Sequence, residues 1–101
     1  MTGERSWEFD STLFRWEASK ALMILASVPE QASDEIDAYS PMKGGFGSVR
    51  VRVTIGGSSW LTSVFPDTTR GCYIVPIKKS VRVAEGVDLG EVAHIRLELA
   101  D

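Results

Sequence analysis

The 101 residues predict a mainly β fold with two short helices in one domain, residues 1–101. Three observations carry this. Val49-Arg-Val-Arg-Val-Thr-Ile55 alternates apolar and polar residues without a break, the mark of a half-buried strand. Gly56-Gly57 follows it, a pair suited to the positive φ of a two-residue hairpin turn. Only two segments, opening at Pro29 and Pro76, change to a helical period. A chain this long buries about two-thirds of its unfolded surface, enough to own a core. With 44% apolar and 25% charged residues, it is neither disordered nor of low complexity.

The elements follow in order. Ser6–Glu17 and Ala21–Val28 read as two strands of a hairpin about the turn Glu17-Ala-Ser-Lys20. The first is expected to bend, because Phe9, Leu13, Phe14 and Trp16 occupy both of its faces. In Pro29–Tyr39, Ala32, Ile36 and Tyr39 fall on one helical face, and Asp34, Glu35 and Asp37 on the solvent side. Pro29 suits the first helical position, Glu30 the positive end of the helix dipole, and Pro41 stops the helix. Met42–Gly47 is a glycine-rich loop. A tight turn at Gly56-Gly57 sets Ile55 opposite Ser58 and Val53 opposite Trp60. Trp60, Thr62 and Val64 then share the valine face, and Leu61, Ser63 and Phe65 the arginine face. Pro66–Gly71 is a turn cluster and Cys72–Val75 a short strand. Pro76 opens the second helix, with Ile77, Val81 and Ala84 on one face and Gly86 just past its end. Gly90 opens the last strand, Val92–Leu99, in which Ile95, Leu97 and Leu99 alternate with His94, Arg96 and Glu98.

The helices share their surroundings. Each follows a strand ending in Val-Pro (Val28-Pro29, Val75-Pro76) and precedes a glycine loop and an alternating strand. Two strand–helix–strand units, about 22–55 and 73–99, then close one barrel-like core within one chain. Coincidence is the alternative, since Val-Pro before a helix is common and the helix faces and prolines repeat at different offsets.

Composition narrows function. The net charge is −3. Residues 1–48 hold four basic and eight acidic residues, and 49–101 hold seven and six. An obligate nucleic-acid binder carries a larger basic excess. One cysteine and one histidine exclude an internal disulfide and leave no basis for a metal site, and no cofactor is expected. The longest apolar run, Ala21–Ala26, falls far short of the ~20 residues of a membrane helix. No secretory h-region opens the chain, so a cytoplasmic location is expected.

Residue chemistry offers several candidates. His94 shares a strand face with Glu98, too distant along the strand to orient it as a base. Cys72 has Arg70 two residues away, but a small strand cysteine is ordinarily packing. Glu30, Asp34, Glu35 and Asp37 form a solvated helix face that does not split carboxylate pKa values. Gly44-Gly-Phe-Gly47 runs from helix to strand, the reverse of a phosphate-binding loop. Trp60 reads as core, while Phe46 and Phe65 flank the loop and the arginine face and are open to stacking. The most suggestive set is basic: Arg50 and Arg52 on one strand face, Arg70 in the turn, and Lys78, Lys79 and Arg82 on the outer side of the second helix. Brought together, these form an anion-binding patch; otherwise they are a solvated surface.

Gly45-Phe-Gly-Ser-Val49, Ile55-Gly-Gly57, Phe65-Pro-Asp67 and Gly71–Arg82, with Phe9–Trp16 and Ser27-Val-Pro29, together resemble a bacterial family, domain of unknown function nineteen-oh-five. The resemblance covers nearly the whole chain. It implies a double-split β-barrel pseudo-dimer with helices capping its ends, similar in fold to the AbrB and MazE transcription regulators. Members sometimes sit beside a bacteriocin-protection (YdeI/OmpD-associated) domain. Leu61 and Val83 depart from the pattern, being apolar on outer positions. The expected function is a non-catalytic binding module for an anionic ligand or protein partner, acting through the basic strand and helix. The alternative is an AbrB/MazE-like DNA-binding regulator, and an enzyme ranks below both. The paired units predict a monomer.

Overall fold

The computed structural model describes residues 5–18 and 21–100. Seven strands and two helices occur in the order β1 (Ser6–Thr12), β2 (Phe14–Ala18), β3 (Ala21–Ser27), α1 (Glu30–Ala38), β4 (Val49–Ile55), β5 (Ser58–Asp67), β6 (Cys72–Pro76), α2 (Lys79–Glu85) and β7 (Val92–Leu99). They make one antiparallel sheet, β1-β7-β4-β5-β6-β3-β2, curled into a half-barrel.

The alternating strands fold as their pattern dictates. β4 spans the predicted residues, and Ile55 faces Ser58 and Val53 faces Trp60 across the Gly56-Gly57 turn. Gly56 has φ 55°, a left-handed conformation that favours glycine, and Glu85 crowds the place a Cβ would take. β7 also matches, and it lies between β1 and β4. One inner row runs Trp7–Leu97–Val53–Trp60 across four strands. Val51, Val53, Ile95 and Leu97 are fully buried there, each worth roughly 1.5–3 kcal/mol of apolar burial.

Several details of the prediction are corrected. The expected first strand is two: β1 pairs with β7, and only β2 joins β3 in a hairpin. Leu13 makes the break, because it is buried, its N–H donates to Glu91 O, and its carbonyl accepts from Gly90 N. The turn expected at Glu17–Lys20 includes residues 19 and 20, outside the described residues. Tyr39 is 47% exposed instead of buried, because α1 has already ended and the residue caps it. Pro29 accordingly stands at the N-cap, one position before the helix. Pro76 belongs to β6, opposite Leu25, and does not open a helix. The β3–β6 ladder continues past it through Ile77 N–H to Ile24 O, so α2 starts only at Lys79 and Ala84 faces out. Finally, β5 runs on through Pro66 and Asp67, so the predicted turn cluster shortens to residues 68–71.

α1 is fastened by a buried serine. Ser33 Oγ donates to Val28 O at 3.2 Å and accepts from Tyr73 N at 3.0 Å, tying the helix to the start of β6. α2 is fastened at the other end of β5, where Glu85 accepts from Gly57 N and from Ser58 Oγ. β5 separates these anchors by ten residues, on the order of 30 Å.

Candidate functional site

The six basic candidates divide by element. Arg50 and Arg52 project from the outer face of β4, as the alternation requires. Neither has an ion pair among the described residues. Glu98 stands across from Arg52 but is bonded to Arg96 at 3.4 Å. Arg70 is spent elsewhere: its guanidinium lies 3.7 Å over the Phe14 ring and its Nε is 3.3 Å from Asp67. Arg82 donates to Ile77 O and pairs with Asp88 at 3.1 Å. Lys78 and Lys79 are exposed at the start of α2. Two of the six are thus internal braces, while Arg50, Arg52, Lys78 and Lys79 keep their charge for solvent.

Arg50 stands in a cleft. A cavity of about 400 Å³ opens between the end of α1 and the start of β4, lined by Tyr39, Ser40, Met42, Ser48, Arg50 and Leu99 among others. The Arg5 guanidinium lies 4.0 Å over the Tyr39 ring at this wall. No carboxylate lines the cleft among the described residues. Lys43, close in sequence, is held by Asp37 and Ser40.

The other candidates find different surroundings. His94 Nδ1 is 2.8 Å from Asp10 and Nε2 3.0 Å from Glu8, both on β1. These bonds, Asp10 first and Glu8 second, raise its pKa above the usual 6.5. Sequence reasoning looked along β7 for a partner and missed β1, the adjacent strand. Burial pushes the Cys72 thiol up, against a hydrogen bond from Ser27, and Asp67 opposes the help expected from Arg70. Glu35 accepts a 2.6 Å bond from the Trp7 indole, and Asp37 one from Tyr73 O–H at 3.4 Å. Burial, then Asp37, raises the Tyr73 pKa.

The glycine loop is a 3-10 turn, Gly45–Gly47, in which Phe46 itself has φ 59° and is 95% exposed. Phe46 stands over a second cavity of about 490 Å³ on the outer face of β2, β3, β6 and the end of β5. Trp16, Met23, Phe65, Ile74 and Pro76 line it. Trp60 packs against the core, as expected. The departures Leu61 and Val83 are exposed apolar side chains.

No helix is long and apolar enough to cross a membrane, and among the described residues no cluster of metal-binding side chains occurs. No curated protein matches the chain. Residues 9–97 match the family model described as Domain of unknown function (DUF1905). That span takes in both helices, the glycine turn and every strand except the first residues of β1 and the last of β7, so the chain belongs to the DUF1905 family.

Proposed function

We propose that this chain is a non-catalytic binding module that takes an anionic group at Arg50, with Arg52 beside it. The observation that carries the reading is the Arg50 cleft: a guanidinium without a counter-charge among the described residues, next to the Ser40 and Ser48 hydroxyls. A guanidinium fork suits carboxylate or phosphate oxygens, and hydroxyls complete their hydrogen bonding. A catalytic reading draws no support from the remaining chemistry. The Cys72 thiol is raised, and His94 lies on an open strand face bonded to two carboxylates.

Titration with pyrophosphate at low salt, followed by amide NMR, tests this. Saturable shifts at Ser48 and Arg50 are expected. They vanish in Arg50→Glu, weaken in Arg52→Glu, and persist in Lys78→Glu with the melting temperature unchanged. Absence of shifts at Ser48, or equal shifts in Arg50→Glu, overturns the reading. The DNA-binding alternative is disfavoured because Glu8, Asp10 and Glu98 are interleaved with the cations on the same outer face. Sequence-selective nanomolar binding to duplex DNA at physiological salt would decide for it.

The reading extends to architecture. The units 22–55 and 73–99 are the two halves of an AbrB/MazE-like pseudo-dimer in one chain. The pairing of β3 with β6 and of β4 with β7, each strand with its counterpart, supports this. A single chain then completes its own core, and sedimentation at micromolar concentration gives a monomer of 11.1 kDa. A dimer that separates only on unfolding would refute it.

A further inference from the structure

β1 is an end strand of the sheet: β7 is bonded to one side of it, and among the described residues no strand is bonded to the other. Two bonds at its ends decide which backbone groups face out. Leu99 N–H donates to Arg5 O, and Leu13 N–H donates to Glu91 O. In an antiparallel pair only alternate residues exchange such bonds. Trp7, Phe9 and Ser11 are therefore bonded to β7, while Ser6, Glu8 and Asp10 turn their N–H and C=O groups to the open edge. None of these outward groups has a protein partner among the described residues. Beyond Asp10 the edge meets β3, where Ser11 Oγ donates to Ser27 O at 3.0 Å.

The open stretch borders a cavity of about 210 Å³ between β1 and α1. Trp7 and Phe9 line it from the inner face of β1, and Pro29 and Ala32 from the start of the helix. No described residue of β7 does, so the cavity lies on the open side of the strand. The Trp7 indole donates to Glu35 at 2.6 Å, which ties the helix alongside the edge.

These features select the occupant. Only an extended chain completes a ladder, because a helix keeps its own N–H and C=O groups bonded. A second copy is opposed by charge. Two β1 strands paired about Phe9 along this edge set Glu8 of each copy against Asp10 of the other. A slide of two residues sets Glu8 against Glu8, or Asp10 against Asp10, and like charges directly opposite destabilise a pair. The same carboxylates favour a cationic strand. Glu8 and Asp10 share one imidazole, that of His94, and Arg96 is divided between Glu8 and Glu98. Arg5 lies over the Tyr39 ring, and no described lysine or arginine lines the cavity. Strand alternation then sets the pattern. Inward residues of the added strand enter the apolar cavity, and the residues between them stand beside Glu8 and Asp10.

We infer that the edge of β1 from Ser6 to Asp10 takes up an extended segment of a partner protein in which basic and apolar residues alternate, added to the sheet as a further strand. No residue lines both this cavity and the Arg50 cleft, so the two sites stand or fall separately.

The probe is an acetylated, amidated decapeptide of alternating lysine and valine, added to the full chain at pH 7 and low salt. Amide hydrogen exchange by NMR is the readout. The Glu8 and Asp10 amides are expected to exchange about tenfold more slowly with the peptide, while those of Trp7 and Phe9, already bonded to β7, change little. The same peptide methylated at every backbone nitrogen keeps its charge but cannot complete the ladder, and it protects neither amide. The double variant Glu8→Gln with Asp10→Asn stays folded and binds the unmodified peptide about tenfold more weakly. The inference is overturned by unchanged exchange at Glu8 and Asp10, by equal protection from the methylated peptide, by undiminished binding to the double variant, or by equal binding of an alternating glutamate–valine decapeptide. It is overturned as well by protection of these amides that rises with the concentration of the chain alone, which would make a second copy the occupant.

Discussion

On the outer side of β1, β7 and β4, the cross-strand rows carry charge. Glu8 lies beside Arg96, Asp10 beside His94, and Glu98 beside Arg52. On the outer side of β2, β3, β6 and the end of β5, the same two-residue alternation presents Trp16 beside Met23, Phe14 beside Leu25, and Phe65 beside Ile74. The inner faces of both regions are apolar, and Val51, Val75, Val64 and Leu97 meet in one core. The difference teaches that an alternating strand such as β4 has one face for water, whereas the unbroken run Ala21–Ala26 gives β3 two apolar faces. One of those faces has the core, and the other has only the groove.

Substitutions sharpen this contrast. Leu97 on the inner face is 0% exposed and Leu25 on the outer face is 1% exposed, so burial alone does not separate them. Leu97→Ala should cost roughly 3–5 kcal/mol in chemical denaturation, since a closed core leaves a cavity. Leu25→Ala should cost about 2 kcal/mol, because the open groove lets neighbours and solvent fill the space. Equal losses would mean that the outer apolar face is as tightly organised as the core.

On the charged face, effects should be far smaller. Glu8 and Arg96 are 3.7 Å apart with both side chains substantially exposed. Glu8→Gln should therefore change stability by no more than about 0.5 kcal/mol, and less at high salt. A larger, salt-independent loss would show that this face is structural.

The mildest test is the titration of His94 by NMR. Its pKa should lie above 6.5 and fall back toward that value in Asp10→Asn, and further in the double variant with Glu8→Gln. The sign follows from linkage. A pKa raised in the folded state gives a contribution that is fully present below the unfolded value of 6.5 and lost as pH rises through the folded one. A His94 pKa at or below 6.5 would mean that the carboxylate bonds do not form in solution.

Much of this molecule follows from patterns that act within about ten residues. Period two in Val49–Ile55 and Val92–Leu99, glycine chemistry at 56 and 57, and the spacing of Ala32 with Ile36 each specify local conformation regardless of context. The Leu61 and Phe65 positions were legible as apolar outer residues for the same reason. Partner choice obeys other rules. His94 meets residues 84 and 86 positions away, and Ser33 one 40 away, because strand order brings their elements together. The basic residues looked alike in sequence, yet Arg70 and Arg82 were absorbed by Phe14, Asp67, Ile77 and Asp88, and Arg50 was left facing a cleft. The break at Leu13 has the same origin: local sequence permits several conformations, and the bonds to the distant residues Gly90 and Glu91 select one.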